Sequence, residues 1–196
     1  MIARAIIAIL CGVSVAAAQT PPVAKPVVIS DKGARWFETR SWGGGAAVRL
    51  DLPERREPGA PSLAFLSGAG PEMVFGCNSH DPAKSRWRFR AGFSPPGAVI
   101  NNIPGAERAY TEGVARLTGT QGLLVLYDEL DKPMLTLHLW PTEGALETAP
   151  LTAFQQRQFR DASAIRLANA QMVMEARMDD LALVLARLKN LPCEGA

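Results

Sequence analysis

Between Arg86 and Arg90 the chain alternates cation and aromatic ring at every step, with Arg86, Arg88 and Arg90 in one set and Trp87 and Phe89 in the other. Successive side chains leave a strand on opposite faces, so a period of two is the signature of extended backbone. A helix would scatter both sets around its axis. The segment therefore predicts a strand with its rings against a core and its arginines in solvent.

The same period recurs along the chain. Val48, Leu50 and Leu52 alternate with Ala47, Arg49 and Asp51, and Leu135, Leu137 and Leu139 alternate with Thr136, His138 and Trp140. Ser62 to Leu66, Glu72 to Cys77, Gly113 to Leu117 and Leu123 to Tyr127 read as further strands. The acidic link Asp128 to Pro133 suits a hairpin turn. Gly43, Gly44 and Gly45 read as a turn, since no Gly-Lys-Ser or Gly-Lys-Thr completes a phosphate loop. Pro53 to Pro61 and Ala91 to Gly105 read as surface connections. The expected fold is mostly β, an antiparallel β-sandwich or incomplete barrel with a packed C-terminal helix.

Residues 151 to 191 contain neither glycine nor proline. A short helix over Asp161 to Ala168, ended by Asn169, and a strand carrying Met172, Met174, Ala176 and Met178 on one face are expected there; a mainly helical region is the alternative. Asp179 or Asp180 can then cap a helix whose apolar side carries Leu181, Val184 or Leu185, Leu188 and Leu191. Pro192 stops it.

The N-terminus has the three zones of an export signal: Arg4 near the start, an apolar run to Ala18, and small residues at Ala16 and Ala18 before Gln19. The expected organisation is a signal peptide over 1 to 18, an extended or flexible lead over 19 to 33 and one β-rich domain over 34 to 196. A retained membrane anchor is the alternative, and bulky Leu10 argues against lipidation of Cys11. Cleavage would leave 178 of the 196 residues, enough for one domain with a sizeable core. No later apolar stretch is long enough to cross a bilayer as a helix.

Cleavage also removes Cys11 and leaves Cys77 and Cys193. In an oxidising compartment two cysteines suggest one disulfide, with two separate buried thiols as the alternative. It leaves 20 basic residues against 19 acidic ones, so bulk charge selects no partner class, and export makes nucleic acid a poor candidate.

The segments RWFETRSW, PEMVFGC and SRWRFRA, followed by AIRLANAQMVMEARMDDLALVLARLKNLPC, resemble in order the small VasI-like periplasmic β-sandwich proteins associated with bacterial type VI secretion. The likeness spans residues 34 to 193 loosely. It implies a structural pairing of Cys77 with Cys193 and supplies no catalytic set. The long proline-rich insertions, the glycine triplet and the stretch Cys77 to Asp81 depart from it.

That stretch, Cys-Asn-Ser-His-Asp, brings nucleophilic, basic and acidic side chains together just before Pro82. Neighbours in sequence rarely make a triad, which needs separated residues converging in set orientations, so ordinary turn structure is the first expectation. An exported hydrolase using Ser79 and His80 is the alternative function. His80 and His138 lack HExxH or paired-cysteine spacing, so no metal and no other cofactor is expected. Trp36, Trp42 and Trp140 could form a contact surface or pack in the core. The methionine stripe is expected to be core. The reading with most support is a non-catalytic periplasmic accessory protein, its contact residues Arg86, Arg88, Arg90 and His80, recognising a protein or an anionic envelope component. The sequence leaves oligomeric state open.

Overall fold

The computed structural model describes residues 26–30, 35–40, 44–52, 71–78, 87–93 and 105–187. Local chemistry explains the hairpin of β6 (Gly122–Tyr127) and β7 (Pro133–Thr142). Asp128 Oδ1 accepts hydrogen bonds from the backbone amides of Leu130 and Lys132, each at 2.8 Å, and closes the turn as its acidic composition predicts. Asp131 takes the left-handed conformation there, with φ of 57°. Leu124 and Leu126 point into the core, as does Leu139 across from Gly122.

Eight further strands complete a single sheet: β1 (Val27–Ser30), β2 (Phe37–Arg40), β3 (Gly44–Asp51), β4 (Pro71–Asn78), β5 (Arg88–Phe93), β8 (Ala145–Thr148), β9 (Ala164–Ala168) and β10 (Met172–Arg177). The order is β1-β10-β9-β6-β7-β8-β5-β4-β3-β2. All pairs are antiparallel except β1 with β10, so the sheet is mixed. It curls into a half-barrel rather than splitting into the two layers of a sandwich, which selects the incomplete-barrel expectation.

Chain length alone requires the curl. β1 and β2 occupy opposite edges, about 43 Å apart if ten strands at about 4.8 Å spacing lay flat. The six residues 31 to 36 that join them span at most about 25 Å.

Three helices supply side chains to the same core: α1 (Ala106–Thr118), α2 (Ala153–Asp161) and α3 (Leu181–Arg187). Phe159 of α2 lies 5.1 Å from Phe75 and 5.7 Å from Phe89 between ring centres, and Trp87 stacks on Phe75 at 4.9 Å. Leu117, Leu181 and Val184 anchor α1 and α3. Segment 35–38 is fastened to the end of β10 and the chain after it: the Trp36 indole donates to the Arg177 carbonyl at 3.1 Å, while Arg35 pairs with Asp180 and Glu38 with Arg187.

Several expectations are corrected. Residues 113 to 117 are helical, as part of α1. Gly113 is there because a Cβ would stand 2.8 Å from the Phe93 ring, so the glycine marks a close helix-sheet approach and no strand. The helix expected over 161 to 168 lies earlier. Thr152 and Gln155 form a reciprocal capping box that starts α2, and the segment from Ala164 to Ala168 is strand β9, with Ile165 and Leu167 inward. Asn169 ends no helix of its own. It accepts from the amides of Gln171 and Met172 in the β9–β10 turn and donates to the Arg116 and Leu117 carbonyls at the end of α1.

The lead assigned to 19 to 33 contains β1, so Val27–Ser30 belong to the sheet. Gly44 and Gly45 belong to β3, at an irregularity in its pairing with β4, and β5 continues to Phe93. The methionine strand is as expected, with Met172, Met174, Ala176 and Met178 all buried. Segments 1–18 and 62–66, Leu188 and Leu191 lie outside the described residues, and no described helix is long and apolar enough to cross a membrane.

Candidate binding face

The core gathers Ile29 from one end of the sheet and Val48 and Leu50 from near the other, together with the buried side chains of the helices. The helix-packed face is therefore the inside of the curl. The opposite face is its convex outside, and the strand register fixes what stands there.

On β5 the expected alternation holds: Phe89 is fully buried, and Arg88 and Arg90 emerge on the convex face. Both are half-buried and partnered, which corrects the picture of arginines reaching freely into solvent. Arg88 Nη1 donates to Glu147 Oε1 at 2.7 Å, with 31% of the Arg88 side chain exposed against 9% of Glu147. Arg90 Nη2 donates to the Glu143 carbonyl at 2.9 Å. Glu147 stands between Arg90 on β5 and Trp140 on β7. The Thr148 hydroxyl accepts from the Phe89 amide at 3.0 Å and so ties β8 to β5.

Past Glu147 the surface changes character. Trp140 is 48% exposed and stacks on exposed His138, ring centres 6.2 Å apart and planes 29° from parallel. Leu123, 44% exposed, sits directly opposite His138, and exposed Thr136 follows one step along β7. Charge returns on the far side at Arg166 of β9, paired with Glu175 of β10 at 3.4 Å. The convex face thus carries a two-strand band, Leu123 and Val125 on β6 with Thr136, His138 and Trp140 on β7, between two ion-paired borders.

Of the sequence candidates, the structure puts Arg88 and Arg90 on the same face as Trp140, with Glu147 of β8 between them. Arg86, His80, Ser79, Trp42 and Cys193 lie outside the described residues. Trp36 is buried at 3% exposure and serves the core. Cys77 is buried on β4, its sulfur 3.5 Å from the Ala46 carbonyl oxygen. Among the described residues no group of three or more histidine, cysteine, aspartate or glutamate side chains could hold a metal ion.

Sequence reasoning missed two members of the face. Leu123 begins a run in which every residue to Tyr127 is apolar or aromatic, so alternation could not reveal that it points outward. Glu147 is the sole charged residue of a four-residue strand, and its role follows only from pairing β8 with β5. Comparison of the chain with family models, with curated proteins and with solved structures finds no match.

Proposed function

We propose that this chain is a non-catalytic accessory protein of the bacterial envelope, exported to the periplasm, that binds an envelope component through the convex band of β6 and β7. One observation carries the reading: Trp140, stacked on His138 beside exposed Leu123, stands mid-sheet on the face away from the helices. Apolar side chains of this size are ordinarily turned into a core, and an exposed cluster of them marks interaction surface.

Arg88 contributes differently from the expectation of an anion contact. Its charge is answered by Glu147 at 2.7 Å, so it borders the band, and Arg90 lies next to it. The export zones at the N-terminus and the loose likeness to VasI-like proteins support the compartment. A Cys77 to Cys193 disulfide belongs to the same reading. α3 packs against β2 and β3, Arg187 reaches Glu38 of β2, and Cys193 follows six residues later, within reach of the sheet that carries Cys77. Intact-mass analysis should give a start at Gln19 and a gain of a pair of hydrogens on reduction.

The binding reading is tested by retention of envelope material on the immobilised protein, comparing wild type with Trp140→Ala and with Phe154→Ala. Phe154 is 55% exposed on α2 and serves as a control away from the band. Retention should fall at least fivefold for Trp140→Ala alone. Equal retention by all three proteins would refute the assignment of the face.

A further inference from the structure

We draw no further inference here: the strongest candidate, the exposed patch of Trp140, His138 and Leu123 on the outer face of β6 and β7, belongs to the binding face already proposed, and nothing in the structure shows what covers it.

Discussion

Removing the Glu147 carboxylate tests whether Arg88 is a structural cation or a waiting anion contact. Glu147→Ala leaves a guanidinium that is two-thirds covered without its 2.7 Å partner. Breaking a fully buried pair costs about 3–5 kcal/mol and an exposed pair contributes about 0–1 kcal/mol. A side chain with 31% exposure falls between these limits, so the expected loss is about 2 kcal/mol. With a urea slope of about 2 kcal/mol per molar, the midpoint should fall by about 1 M. Arg88→Ala should cost a comparable amount, and the double variant should cost less than the sum of the two, with a coupling of about 1–2 kcal/mol. The isosteric Glu147→Gln has a second readout: it unmasks the Arg88 charge, so elution from a heparin column should move to higher salt. Single variants that each cost under about 0.5 kcal/mol and add without coupling would refute the argument. Arg88 would then be available to an anionic ligand.

Two predictions concern α1. Gly113→Ala gains about 1 kcal/mol of helix propensity, but its methyl group would stand 2.8 and 2.9 Å from two atoms of the Phe93 ring, and overpacking of this kind costs about 1–3 kcal/mol. The thermal midpoint should fall, and a rise would show that the helix does not press on β5 there. Glu112 accepts from Arg108 at 2.7 Å, and the hydrogen bond and charge of Arg108 hold its carboxyl below the usual range. A carboxyl lowered in the folded state stabilises above its unfolded pKa and loses that contribution as pH falls through the folded one. The midpoint difference between wild type and Glu112→Gln should therefore shrink on acidification; a gap independent of pH would count against the pair.

Strands were legible where one face is apolar and the other polar. Arg88 to Arg90, Val48 to Leu52, Thr136 to Trp140 and Met172 to Met178 each announce their inward side, and each is placed as its alternation predicts. The failures have separate physical causes. Gly113 and Val114 look strand-like in isolation, but the helical spacing runs through Tyr110, Gly113 and Leu117, and the glycine answers a ring on another element. Asp161 to Ala168 contains good helix formers, yet nearby Thr152 and Gln155 offer the reciprocal cap that fixes the start of α2. Ile165 and Leu167 gain more by lying between Leu126, Leu124 and the β10 core than a helical turn would give them. Long-range pairing was illegible altogether. Nothing in residues 27 to 30 indicates a parallel partner at 172 to 175, and nothing in residues 88 and 147 indicates that their side chains meet.

The closure of the sheet also bears on what the band can do. A link of six residues forces the two edges toward one another, and the Trp36 to Arg177 bond, the Arg35 to Asp180 pair and the Arg187 to Glu38 pair hold them beside α3. That arrangement commits the interior to packing: Phe75, Phe89 and Phe159 fill it between sheet and α2. Trp140 and His138 are thus left on the outward side of a curved wall, where a ligand of the proposed face would be held by contact area and not by enclosure. On the proposed reading a partner therefore gains from the area it covers over Trp140, His138 and Leu123, and truncating Trp140, the largest of them, is the change that should weaken it most.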